Sequence, residues 1–306
     1  MPKTVLVTGA RGFLGFEVAK HFASLGYYVD GMGHGNWDSD DYSELGIRSW
    51  VTCDISLDTL IECGGTPDII IHCAGSGSVP FSMSNPFEDF SRTVLSTLAV
   101  LEFVKSHSPK STIVYPSSAA VYGEAQSLPI NECDSLLPIS PYGFHKLTAE
   151  NLCKSYATNF GVSVAIIRFF SLYGEGLRKQ LFWDACIKAK VGDYTYSGSG
   201  MEIRDWIHIE DAVRLIEKVI NHASPVCPVV NGGSGKGLHV KNLIQKIYDN
   251  LLPDTTLRFI GKVRLGDPLG FEADIKKSEN YGWKPEINIQ IGVKRYVTWF
   301  LGLKND

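Results

Sequence analysis

The chain has 306 residues, 44% hydrophobic and 20% charged, which suits one large domain or two intimately joined ones around a sizeable core. A formal net charge of −4 gives no global basic field for nucleic acid, and no apolar run approaches the length of a membrane helix. The seven cysteines (Cys53, Cys63, Cys73, Cys133, Cys153, Cys186 and Cys227) are odd in number, scattered and without a CxxC pair, so reduced, mostly packed thiols are expected rather than disulfides or a metal site. The start, MPKTVLVTGARG, enters a strand with no charged leader, and a cytoplasmic location is the expectation.

In chain order, TVLVTGA is β-rich and ends at glycine, and FLGFEVAKHFASLG then has helical spacing through Phe13, Val18, Phe22 and Leu25, stopping at Gly26. YYVDGM and DIIIHCAG read as strands, and FEDFSRTVLSTLAVLEFVKSHS as one long helix. STIVYPSS is a further strand, SPYGFHKLTAENLCKSYATNFG a second long helix, and SVAIIRFFSLYG closes the run. Strand alternating with helix implies parallel βαβ units in a doubly wound α/β sheet. After Gly174 the pattern loosens: RKQLFWDACIKAKVG and DYTYSGSGMEIRDW suit a smaller lobe over the strand ends. DAVRLIEKVINHA and PVVNGG add one more helix and strand to the main sheet, and the tail from Gly237 returns to the lobe. The expected division is a dinucleotide-binding Rossmann part over 1–173 plus 205–233 and a C-terminal substrate-binding lobe over 174–204 plus 234–306.

TGARGFLG places Gly9, Gly12 and Gly15 between a strand and a helix. Glycine lets backbone approach a pyrophosphate, and the helix N-terminus offers free N–H groups and a positive dipole end. This spacing resembles that of short-chain dehydrogenases/reductases, above all the extended branch of nucleotide-sugar epimerases, dehydratases and reductases, and the likeness runs along nearly the whole chain. The resemblance implies a cofactor cradle from Gly9, Arg11, Gly12, Phe13, Leu14 and Gly15. TCDI resembles the segment that meets the adenine ring, through Asp54 and Ile55, and HCAG the segment lining the cofactor, through Cys73, Ala74 and Gly75. RDWIHIEDA and RLGD resemble the sugar-nucleotide lobe, where Arg204 and Arg264 match arginines that clamp a substrate diphosphate. Tyr194 and Trp206 are candidates to flank the nucleotide base, whereas Asn231 and His208 read as structural.

SPYGFHK sets Tyr142 and Lys146 four apart on one helix face. A phenol with a pKa near 10 is a poor base, and a nearby ammonium would lower that value. Tyr142 could then exchange a proton with a sugar hydroxyl as hydride moves at the same carbon, with Lys146 on the nicotinamide ribose. In the family, a serine just before a Val-Tyr-Gly tripeptide polarises the reacting oxygen. Counting back past Ala119 and Ala120 reaches Ser118. The family's dehydratases resemble Thr-Asp-Glu in this segment, and alanine moves no proton, so elimination is not expected. Three positions depart from the family pattern. Thr93 stands for an asparagine, Ser96 for a glycine, and Ser171 for an asparagine near the substrate diphosphate.

A carboxylate ending the second strand selects NAD, because it bonds the ribose hydroxyls and repels a 2′-phosphate. Gly33 and His34 stand there instead. Arg11 and His34 are near enough in sequence to greet a phosphate, so NAD or NADP(H) is expected, and an aspartate at 33 should favour NAD. The favoured reading is an NAD(P)-dependent 4-epimerase of a nucleotide sugar, the expected binding partner. The alternative is an NADPH-dependent 4-ketoreductase, and a non-catalytic dinucleotide sensor stands further off. The family often dimerises through its two long helices, and the apolar side of VLSTLAVLEFV allows a homodimer.

Overall fold

Consecutive apolar residues, such as Val5, Leu6 and Val7 or Ile69, Ile70 and Ile71, build a sheet buried on both faces. The computed structural model describes residues 2–261, 268 and 270–303. Strands β1 (Thr4–Thr8), β2 (Tyr28–Gly33), β3 (Ile47–Thr52), β4 (Ile69–His72), β5 (Thr112–Ser118) and β6 (Ser163–Phe169) come first. Then β7 (Ser171–Tyr173), β8 (Thr195–Tyr196) and β9 (Ile203–His208) leave the sheet, β10 (Val229–Gly232) returns to it, and β11 (Gly237–His239) and β12 (Arg258–Phe259) leave again. The main sheet runs β10-β6-β5-β4-β1-β2-β3 with all its pairings parallel, as expected of a Rossmann-type fold. A second sheet orders β11-β9-β7, and β12 pairs with β8.

The helices are α1 (Phe13–Ser24), α2 (Ser39–Glu44), α3 (Leu57–Cys63), α4 (Val79–Ser84), α5 (Pro86–Phe90), α6 (Ser96–His107), α7 (Pro141–Phe160), α8 (Gln180–Val191), α9 (Ile209–Ile220), α10 (Val240–Leu251), α11 (Lys276–Asn280) and α12 (Ile289–Gly302). Val5, Val7, Ile69, Ile71 and Ile167 face α1 and α9. Their neighbours Leu6, Ile70, Ile113 and Ile166 face α6 and α7 on the other side. Aromatic residues of α8, α10 and α12 fill a separate core with Tyr173 and Trp206. The expected long helix from Phe87 is interrupted: a π-helical turn, Ser91–Leu95, joins α5 to α6 and carries Thr93. Among the described residues no helix is long and apolar enough to cross a membrane, and no group of His, Cys, Asp and Glu is arranged to hold a metal.

The chain leaves β1 toward β2 on one side and later places β4 on β1's other side, so the strand order switches between them. Clefts for ligands open at the carboxyl ends of strands at such a point. Here Thr8 is flanked by Met32 and His72.

A buried ion pair ties the sheet to α7. Arg168 of β6 is 1% exposed and Glu150 of α7 is 0% exposed. Arg168 Nε and Nη2 donate to Glu150 at 3.0 and 2.8 Å, and Ser117 Oγ donates to the same carboxylate at 2.6 Å. Arg168 Nη1 also reaches the Tyr122 hydroxyl and Glu132 O, both at 3.0 Å, and Tyr122 in turn donates to Asn231 Oδ1 at 2.7 Å. Asn231 thus bridges as structure, donating to Ile130 O and Asp274 O. Removing one partner strands a desolvated charge. Glu150→Ala is therefore expected to cost about 3–5 kcal/mol in urea unfolding, and pairing it with Arg168→Met to recover part of that. A single-variant loss below about 1 kcal/mol would contradict this account.

Candidate active site

The turn after β1 is built for close backbone approach. Gly9 has φ +69°, and a Cβ on it would lie 2.7 Å from Ala74 N; one on Gly15 would lie 2.2 Å from Gly9 O. Helix α1 begins at Gly12 with no side-chain cap and no acidic residue in its first turn. Its first N–H groups point from bare backbone into the cleft, which fits a dinucleotide's diphosphate and would not fit bulkier residues. Phe13 and Leu14 are half-buried there, and Arg11 is exposed at the rim.

The loop after β4 closes the other side. Ala74 N–H donates to Thr8 Oγ1 at 3.2 Å, and Gly75 lies exposed beyond it. Two of the three family departures are explained here. Thr93 Oγ1, from the π-helical turn, accepts from Ser76 N–H at 3.3 Å and so holds the loop. Ser96 Oγ sits 3.3 Å from His72 Nε2, whose Nδ1 is 2.7 Å from Thr8 Oγ1. Burial, aided by the nearby Lys146, lowers the His72 pKa to about 3, so the ring is neutral. Burial pushes the Cys73 thiol up to about 12, so it is no nucleophile.

Ser118 ends β5, and α7 starts 22 residues later on a Ser140 cap whose side chain accepts from Gly143 N–H, with Pro141 next in line. That start brings Tyr142 beside Ser118. Burial raises the Tyr142 pKa; the Ser118 hydroxyl opposes the rise and the Asp89 charge adds to it. The sequence suggested instead that Lys146 would lower this value. Lys146 is 6% exposed, its Nζ donates to Pro116 O at 2.9 Å, and it lies over the Tyr115 ring. Burial lowers its own pKa to about 8. The ammonium thus gives one of its three N–H groups to a backbone carbonyl, and burial holds the phenol protonated.

At the adenosine end, His34 Nε2 lies 3.1 Å from Asp54 Oδ1, with both side chains exposed, and Ile55 packs behind them. In the lobe, Arg204 is buried, with Nη1 donating to Ile203 O at 2.7 Å and its guanidinium over Phe271. Ser171 pairs in register with Trp206. Trp206 packs on Phe182 and Tyr194 on Tyr248, so both aromatics belong to the lobe's core rather than flanking a base. Arg264 lies outside the described residues.

Several residues here carried no motif. Gln180 Nε2 donates to Gly77 O at 3.4 Å, which draws the loop after β7 toward the loop after β4. Arg178 and Lys179 come with it and line a cavity of about 390 Å³ with Arg11, Gly12 and Phe13 at the mouth of the glycine turn. Two adjacent cations after a glycine were the available signal. His145 pairs with the fully buried Asp89 next to Tyr142. That contact joins α5 to α7 and has no local sequence mark.

Comparison with known proteins agrees with this geometry. The profile of the NAD dependent epimerase/dehydratase family matches residues 5–231. A UDP-glucuronate 4-epimerase of Thermodesulfobacterium geofontis is 28% identical over 96% of this chain and 95% of its own length. A CDP-paratose 2-epimerase of Salmonella typhi is 29% identical over 96% and 98%. The solved structure of MoeE5 in complex with UDP-glucuronic acid and NAD superposes with a TM-score of 0.86 at 25% identity, covering 97% of this chain and 99% of that one. A glycine turn at the switch point, a Tyr-x-x-x-Lys helix and a match over most of the chain lead to one conclusion: the protein belongs to the NAD-dependent epimerase/dehydratase family.

Proposed function

We propose that this chain is a nucleotide-sugar 4-epimerase, inverting C4 of an NDP-hexose through a 4-keto intermediate. The observation that carries the proposal is the meeting of Ser118 and Tyr142 at the end of β5, with Lys146 one helical turn along. The bound nicotinamide supplies a hydride acceptor that later becomes a donor. In its ionised form Tyr142 would take the C4 hydroxyl proton as hydride leaves C4, and return it after the sugar turns over in the cleft. Ser118 Oγ donates to the same oxygen, and Lys146 would steady the cofactor ribose with the N–H groups that Pro116 O leaves to it. Ala119 and Ala120 give no proton donor for eliminating a C6 oxygen, which separates this site from a dehydratase.

Cofactor contacts are assigned to Gly9, Arg11, Gly12, Phe13, Leu14, Gly15, His34, Asp54, Ile55, Cys73, Ala74 and Gly75, and substrate contacts to Ser171 and Arg204. Dinucleotide binding is assigned to 1–173 plus 205–233 and sugar binding to the remainder. Curated relatives named as epimerases along almost their whole length support epimerisation over reduction. The NADPH-dependent 4-ketoreductase reading draws its support from Gly33. We place the enzyme in the cytoplasm as a homodimer feeding polysaccharide biosynthesis. Leu95 and Phe144 are 50% and 56% exposed near α6 and on α7, an apolar face suited to pairing with a second copy.

Three outcomes test this reading. Tyr142→Phe is expected to lower kcat by about 10²–10⁴ while cofactor retention stays as in wild type; near-normal turnover of UDP-glucose, UDP-glucuronate and CDP-sugars alike would sink the assignment. Lys146→Met should lose turnover yet not stability. Because the folded pKa lies near 8 against 10.5 in the open chain, holding the ammonium costs on the order of 3 kcal/mol below pH 8. The unfolded state binds the extra proton between those values, so wild type gains on the variant as pH rises from 8 to 10.5. A variant melting well below wild type at pH 7 contradicts this. Phe144→Glu should give monomers in sedimentation analysis, and an unchanged mass rejects the proposed interface.

A further inference from the structure

The mechanism leaves one buried acid unused. Asp89, near the end of α5, is 0% exposed. His145 Nδ1 donates to its Oδ2 at 2.5 Å, and its Oδ1 has no hydrogen-bond partner among the described residues. His145 is 15% exposed and stands edge-on to the Phe90 ring, with centroids 5.3 Å apart. A carboxylate taken out of water and given a single donor is costlier than a neutral side chain of the same shape. An asparagine would join α5 to α7 through the same histidine, so packing between the helices does not account for the charge.

Its position beside Tyr142 does. His145 follows Tyr142 by three residues and precedes Lys146 by one, so the carboxylate lies against the turn of α7 that carries the proposed proton-exchanging group. Tyr142 N–H fixes that turn to α4 by donating to Ser82 Oγ at 3.0 Å. The other groups that face this place are already engaged. On α7, Lys146 reaches Pro116 O and Glu150 is held by Arg168. β5 presents the Ser118 hydroxyl and the buried Tyr115 phenol, and the end of β4 presents the neutral His72 and the Cys73 thiol. α4 brings no titratable side chain, and Glu88 and Arg92 pair with each other at the surface. Asp89 makes no salt bridge to lysine or arginine among the described residues, and its charge acts on both the Tyr142 phenol and the Lys146 ammonium.

We propose that Asp89 and His145 form a charge-setting dyad for Tyr142: the Asp89 carboxylate favours the proton on the phenol oxygen, and His145 holds the carboxylate in place. Both are positioning residues that act through Tyr142. The dyad keeps the phenol uncharged in the resting cleft. Once positive charge in the cleft has ionised it, the same carboxylate makes the phenolate a stronger base toward the sugar hydroxyl. The inference rests on the proposed function for the role of Tyr142 as the group that exchanges the proton.

The test uses protein loaded with NAD and no sugar nucleotide, so failure of the epimerase reading leaves it unmoved. Tyrosine labelled with carbon-13 at Cζ reports ionisation by NMR, and the Tyr142 signal is the one lost in Tyr142→Phe. Taking an anion away from an acid lets the proton leave at lower pH. Asp89→Asn is therefore expected to lower the Tyr142 midpoint by about one pH unit. His145→Asn keeps a donor toward the carboxylate and should not lower it. Asp89→Asn combined with His145→Asn sets amide against amide, keeps a bond between the helices without the charge, and should lower the midpoint as Asp89→Asn does, even if the single variant fails to fold. A midpoint within about 0.3 unit of wild type in the proteins lacking the carboxylate overturns the dyad. So does a His145→Asn midpoint that falls as far as that of Asp89→Asn, because the contact and not the charge would then move the phenol. With a sugar nucleotide that turns over, Asp89→Asn should carry the acid limb of the kcat profile down with the midpoint and lower the plateau about two- to fivefold. A plateau that falls while the limb stays in place overturns the use of the dyad in turnover.

Discussion

The Arg168–Glu150 pair fixes more of this molecule than any other single contact. Tyr142, Lys146 and Glu150 are spaced four apart and so share one stripe of α7. Glu150 must meet Arg168, because either charge left alone in the core would cost several kcal/mol. That requirement sets both the rotation and the axial position of α7. With Glu150 turned to β6, Lys146 can only reach the end of β5, where it finds Pro116 O. Tyr142, one turn earlier, then arrives at Ser118. Ser117 bonds the same carboxylate, so the strand that carries Ser118 is registered against the helix by the same charge.

The network also reaches the lobe. Tyr122 and Asn231 carry it from Arg168 to Ile130 O and Asp274 O, in segments that lie beyond the edge of the main sheet. A second polar chain, from Thr8 through His72 to Ser96 and Thr97, locks the loops on the opposite side of the cleft. The departure Ser96 belongs to that chain, and the departure Thr93 holds the loop after β4 through Ser76 N–H. Each shorter or added hydroxyl has found a partner, so the substitutions rewire the wall of the cleft without opening it.

Electrostatically the site is held in a resting state. Burial keeps the Tyr142 phenol protonated and depresses Lys146, while Asp89 opposes ionisation of the phenol and favours the ammonium. Positive charge brought into the cleft shifts the phenol toward ionisation. A site arranged this way couples proton removal to occupancy, which suits the proposed reaction, whose 4-keto intermediate must not escape to water.

The sequence by itself determined the alternation of strand and helix, the glycine turn, the spacing of Tyr142 and Lys146, and the place of Ser118. Each of these is a local pattern: a period of two or of 3.6, a residue whose missing Cβ permits close approach, two side chains one turn apart. It also marked Thr93, Ser96 and Gly33 as departures, though not what they do. Only the tertiary structure decided the rest. Lys146 serves Pro116 O rather than the phenol, Trp206 and Tyr194 pack inside the lobe, and His34 turns to Asp54 instead of standing free. The π-helical turn at Ser91–Leu95 breaks a helix whose pattern runs on without a mark. The bar to the expected aspartate at 33, whose Cβ would lie 3.3 Å from Gly9 Cα on a backbone with φ +152°, comes from Gly9 and Trp50, which lie far off along the chain. Such outcomes depend on which distant groups compete for a donor or fill a volume, and a one-dimensional pattern carries no record of that competition.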